Sequence, residues 1–183
     1  MVGGLLLDGI FLALRKLGKG AREQSEAGIG VTRFHSNFMM RFFGTRANEE
    51  LPLTKRKVRN LLRGNQVVFC GALRWGKGTT SDGTAAGLAG YLKCPFINLT
   101  NVKGLYDKEP SLKGAKFIPE ISWEEFDMVA SKVKFKAGQH FVLDQAASKK
   151  IRKGKIVTYI VGSVTDIDKI LKGKGFVGTR IFG

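Results

Sequence analysis

The chain has 183 residues, 43% of them hydrophobic and only 4 of them proline, which suits one compact core and leaves little for two full domains. Its 31 Lys and Arg against 15 Asp and Glu give a net charge of +16, a field that draws nucleotides, RNA or anionic surfaces without specifying a reaction. Two cysteines, Cys70 and Cys94, make neither a disulfide framework nor a zinc set, and their apolar neighbours predict burial in a reducing cytoplasm.

The opening MVGGLLLDGIFLALRKLG carries Leu5, Leu6, Ile10, Leu14 and Leu17 at helical spacing, with Arg15, Lys16 and Lys19 at the end where cations suit a helix C-terminus. Asp8 interrupts the apolar run and no basic segment precedes it, so it reads as an amphipathic core-facing helix, neither a signal sequence nor a membrane span. The glycine-spaced stretch Ala27 to Val31 leads into a second helix, on which Phe34, Phe38 and Phe42 recur every four residues. A short helix over Lys55 to Arg63 follows. QVVFCGA, from Gln66 to Ala72, then reads as a buried strand.

The loop LRWGKGTT and the helix SDGTAAGLAGYLK come next, then the strand PFINLT and the turn-rich NVKGLYDKEP. Ser122 and Glu125 form a capping-box pattern that opens another helix, and Asp144 is placed to cap the helix running to Ile151. KIVTYIVG predicts a parallel strand, TDIDKILK a short helix and TRIFG a closing strand. This alternation predicts a layered α/β fold with a mainly parallel sheet in a single domain spanning 1–183. Basic residues 149, 150, 152, 153 and 155 read as a solvated face, and no aromatic RNP pair or zinc cluster points to nucleic acid.

Ligands of such sheets sit beyond the carboxyl ends of strands, which singles out the loops Leu73 to Ser81 and Asn101 to Pro110. In the first, Gly71, Gly76 and Lys77 nearly spell a P-loop. Gly78 stands where that motif needs Ser or Thr, and Thr100 stands where the next strand should end in an acid, so a Walker site is rejected. What survives is an anion site: exposed glycine N–H groups, the charges of Arg74 and Lys77, and Thr79, Thr80 and Ser81 at a helix N-terminus. Alone, it would be an ordinary glycine turn with a helix cap. In the second loop, Gly104 permits a tight turn, Tyr106 offers a flat surface for a base, and Asp107 and Glu109 supply carboxylates.

Thr100, Asn101, Val102, Gly104, Tyr106 and Pro110 reproduce much of a TNVDGVYxxDP signature, Thr80, Ser81 and Asp82 stand where a TTD triplet is expected, and AGIGVTR matches an IGIxxTR segment. Together with KAGQHFVLDQAASKKI and GFVGTRI, these residues resemble the amino acid kinase superfamily, most closely its archaeal-type uridylate kinases, over nearly the whole chain. The resemblance implies a three-layer α/β/α sandwich of the carbamate kinase type, and transfer of the ATP γ-phosphoryl group to UMP, with Mg²⁺, in pyrimidine nucleotide biosynthesis. It implies an ATP site at Gly4, Thr100, Tyr106 and Glu109 and a UMP site at Gly3, Trp75, Gly76, Lys77, Gly78, Thr79, Thr80 and Ser81, with no catalytic residue and no metal ligand assigned. It also implies a cytoplasmic homo-oligomer, with the hexamer as one form.

Departures accompany it. The family's first strand ends in a KxGGS-type lysine loop and this chain begins after it, so the fold is expected to be N-terminally incomplete, with Lys77 as a substitute cation. Leu5 replaces the third glycine of a GGG loop, Ser25 or Glu26 falls where an acceptor-side acid is expected, Lys103 reverses a charge and Glu109 preserves one. A catalytically silent nucleotide-binding member, a kinase for another small acceptor, and a basic RNA-binding module are the other readings. An in-frame KxGGS upstream, or turnover against binding alone, separates them.

Overall fold

The computed structural model describes residues 2–74, 76, 80–132 and 142–183, with side chains from residue 9 onward. By their internal contacts these form two units, 1–77 and 78–183.

The first unit is mostly helical. Helix α1 (Val2–Lys16) packs on α2 (Ala21–Phe43), and α3 (Lys55–Leu61) follows, its first turn capped by the Thr54 hydroxyl, which accepts from Lys57 N–H. Helix α2 starts earlier than its glycines suggest, so AGIGVTR lies inside it. Val31, Ser36 and Met40 form its buried side, whereas Phe34, Phe38 and Phe42 are 61–74% exposed. The four-residue step therefore marks the opposite face from the core. Leu17 lies past the end of α1 and is exposed as well.

The expected strand from Gln66 to Ala72 does not form. A single parallel bridge joins Ala47 to Val67, and beyond it the backbone is held by side chains. The buried Asn48 amide donates to Phe69 C=O at 3.0 Å while its oxygen accepts from Phe69 N–H at 2.7 Å. Thr32 Oγ1 accepts from Ala72 N–H at 2.9 Å, and Arg33 donates to the carbonyls of Ala72 and Leu73. The N–H groups of Phe69 and Ala72, already given to side chains, are not available to a ladder. Gly71 makes this possible, because a Cβ there would stand 2.8 Å from the α2 backbone at Thr32 and Arg33.

The second unit carries a four-stranded sheet in the order β1 (Phe96–Leu99), β5 (Thr158–Val161), β6 (Gly178–Phe182), β4 (Glu120–Ser122), with both outer pairs parallel and the central pair antiparallel. A two-stranded hairpin, β2 (Leu105–Tyr106) and β3 (Phe117–Ile118), stands apart from it. Helices α4 (Ser81–Leu92), α5 (Trp123–Lys132) and α6 (Gln145–Gly154) contribute Ala86, Phe126, Ala147 and Ile151 to a core shared with Ile160 and Ile181. Helix α7 (Val164–Leu171) packs on β5. The α/β class with a mainly parallel sheet is as expected.

Local sequence explains the helix starts. Ser122 and Glu125 bond reciprocally at the head of α5, Asp144 accepts from Ala147 N–H at 2.8 Å to open α6, and Ser163 accepts from Asp166 N–H to open α7. Cys70 is half-buried, but Cys94 is exposed beside the left-handed Lys93 that ends α4, so its expected burial does not occur.

Candidate nucleotide site

Strand β1 leaves the sheet at Leu99, and Thr100 extends the ladder by one bond, its N–H donating to Val161 C=O at 2.9 Å. The chain then passes close to Gly162 and Thr179 into the β2–β3 hairpin and bounds a cleft of about 320 Å³. Leu99, Val102, Val129 and Val142 supply apolar wall, Tyr106 a half-buried ring, and Thr100, Asn101, Lys108 and Glu109 polar groups. An apolar wall with a few polar groups at one end suits a flat, partly polar ligand.

The hairpin orients these groups. Tyr106 leans on Phe117 with ring centroids 5.5 Å apart and also lines the cleft. Asp107 closes the hairpin, its carboxylate accepting from Lys116 N–H at 2.8 Å while its own N–H donates to Lys116 C=O. This carboxylate therefore serves the loop, and Glu109, exposed on the rim, is the acid available to a ligand. Across the cleft, the Asn98 amide donates to Val142 C=O at 2.6 Å and ties the segment before α6 to β1. Asn98 and Thr100 share the alternation of one strand, a relation readable in sequence; the approach of Val129 and Val142 depends on the fold.

A second cluster lies where α4 and α6 begin. Thr80 caps α4 by accepting from Gly83 N–H at 3.0 Å, and Lys150 reaches over from α6 to donate to Gly83 C=O at 2.7 Å. A Cβ on Gly83 would approach Ala146 to 3.1 Å, so glycine sets the closeness of the two helices. Burial, and then the nearby Asp144 carboxylate, push the Asp82 carboxyl up to about 6. Both cap positions were legible; that they bring two carboxylates together was not.

Of the residues expected at an ATP site, Thr100, Tyr106 and Glu109 all line the cleft. Gly4 lies with Gly3 in the first turn of α1, in the first unit. Of those expected at a UMP site, Thr80 and Ser81 stand at the head of α4, Gly76 lies in irregular backbone of the first unit, and Trp75, Lys77, Gly78 and Thr79 lie outside the described residues. The segment 133–141, which contains the start of KAGQHFVLDQAASKKI, also lies outside them. Among the described residues no group of three or more His, Cys, Asp or Glu is arranged to hold a metal ion.

A uridylate kinase of Methanopyrus kandleri is 37% identical over 147 residues, covering 80% of this chain and 65% of that protein, just under two thirds of its length. A uridylate kinase of Archaeoglobus fulgidus is 32% identical over 182 residues, covering 98% of this chain and 81% of that one. The crystal structure of uridylate kinase from Archaeoglobus fulgidus superposes with a TM-score of 0.84 at 30% identity, over 96% of this chain and 79% of that chain. The model of the amino acid kinase family matches residues 14–162, through both units and across the cleft-forming loop. The chain belongs to the amino acid kinase family.

Proposed function

We propose that this chain is the body of a uridylate kinase, transferring the γ-phosphoryl group of ATP to UMP to give UDP and ADP. The observation that carries the reading is the convergence of Thr100, Tyr106 and Glu109 on one cleft beyond β1, in a chain 37% identical to a uridylate kinase. In this reading the base of ATP lies along Tyr106 and the valine wall, and Glu109 and Thr100 hold its polar edge. UMP takes the helix start at Thr80 and Ser81, where backbone N–H groups and a helix dipole favour a phosphate; Gly3, Trp75, Gly76, Lys77, Gly78 and Thr79 are assigned to the acceptor by the family resemblance alone. Mg²⁺ enters with the nucleotide: among the described residues no group of three or more His, Cys, Asp or Glu is arranged to hold an ion, and Mg²⁺ is commonly held by one or two carboxylates plus phosphates. Transfer then rests on positioning and on neutralising phosphate charge.

The same reading treats 1–183 as one kinase domain acting in the cytoplasm within pyrimidine nucleotide synthesis. Among the described residues no helix is long and apolar enough to cross a membrane. A homo-oligomer, up to a hexamer, is part of it; the exposed Phe34, Phe38 and Phe42 stripe supports a subunit contact, and sedimentation measures it.

A coupled assay of ADP release with ATP, Mg²⁺ and UMP tests the reading, alongside titration with each nucleotide. We expect UMP-dependent turnover, and Tyr106→Ala to weaken ATP by about tenfold, the loss of roughly one stacking contact of 1–3 kcal/mol. ATP binding without UMP-dependent turnover would leave a silent nucleotide-binding member. Turnover with another acceptor alone would overturn the assignment of UMP.

A further inference from the structure

Thr179 lies fully buried on β6 and is not among the residues lining the cleft, yet it is bonded to Leu105, which is. Its hydroxyl accepts from Leu105 N–H at 2.7 Å and donates to Ile118 C=O at 2.5 Å. Leu105 and Ile118 are directly paired in the hairpin, so one hydroxyl fastens both strands to β6. Each of those strands is two residues long, too short to hold a conformation by its own ladder.

The loop that leads into the hairpin presses on the same place. A Cβ on Gly104 would stand 2.6 Å from Thr179 Oγ1 and 3.0 Å from Thr179 N, and one on Gly162 would stand 2.8 Å from Val102 C=O. These are approaches of backbone to backbone or to a fully bonded hydroxyl, which no change of rotamer relieves.

We propose that Thr179 is a positioning residue for the nucleotide: it acts through the hairpin to fix Tyr106 and the backbone from Val102 to Leu105 beneath the base. The proposal rests on the reading of the cleft as an ATP site. Valine has the shape of threonine without the hydroxyl, so Thr179→Val leaves the buried Leu105 N–H without its acceptor and removes both side-chain bonds from β6 to the hairpin, leaving the Arg180 N–H bond to Pro119 C=O beyond the end of β3. Thr179→Ser keeps both bonds.

The test uses the whole chain, ATP titration with Mg²⁺, and amide exchange read separately at the hairpin and in α6. For Thr179→Val we expect about tenfold weaker ATP binding and about tenfold faster exchange at Leu105, with α6 unchanged, and for Thr179→Ser both values within about twofold of the parent. Ile151→Val, in the core but away from the cleft, is expected to lower the melting temperature without changing ATP affinity. Unchanged ATP affinity in Thr179→Val, with the parent binding ATP, overturns the proposal alone. So does an equal loss of affinity in Ile151→Val, which would make the effect one of general stability. A parent chain that binds no ATP overturns the nucleotide reading and the role of Thr179 together.

Discussion

Two apolar runs, QVVFCGA at 66–72 and the TYIV of 158–161, carry nearly the same β-forming composition and end differently. The second is a central strand, bonded to β1 on one side and β6 on the other, with Ile160 and Val161 fully buried. The first is extended but unladdered, half-buried, and held by Asn48, Thr32 and Arg33. A strand is a property of neighbours as much as of residues, because a backbone N–H already given to a side chain is unavailable to a neighbouring strand.

The largest expected effect tests the contrast directly. Ile160→Ala, emptying a fully buried site, should cost about 2–5 kcal/mol in urea unfolding, whereas Val68→Ala, at a half-buried one, should cost about 1 kcal/mol. Equal costs would show the first run to be packed as a strand is. Asn48→Leu keeps volume but strands the Phe69 N–H and C=O; a loss of about 1–3 kcal/mol is expected, and a neutral outcome would mean that Asn48 is not what holds the segment.

The third prediction sharpens the other side, where a polar contact opposes stability. Folding raises the Asp82 carboxyl to about 6 from an ordinary value near 4. Between those values the unfolded chain gives up this proton first, so the group's contribution to stability falls as pH rises from about 4 to 6 and is level above. Asp82→Asn should therefore raise stability by roughly 1–2 kcal/mol at pH 8 and change it little near pH 4, seen in melts across pH. A gain that does not depend on pH would overturn the assignment.

Much of this was legible beforehand for reasons of range. Caps at Thr80, Ser122 and Asp144 act over three residues, and the structure has each in place. Strands β2, β3 and β4 escaped notice because two or three residues carry no alternation to read. Phe34, Phe38 and Phe42 do lie on the helix their spacing predicts, but spacing identifies a face without saying that it points away from the core. In the cleft, Thr100, Tyr106 and Glu109 were visible within one loop, while Asn98 bonding Val142 spans 44 residues.

The sequence by itself determined the class of fold, the helix starts and the loop that bears Thr100, Tyr106 and Glu109, because each is encoded by residues within a few positions of one another. Tertiary structure alone decided that one apolar run is a strand and the other is not, that the half-buried Asp82 lies close to Asp144, and that Thr179 bonds Leu105 across 74 residues. These depend on which backbone groups find partners and which charges lose water, and both follow from distance in space.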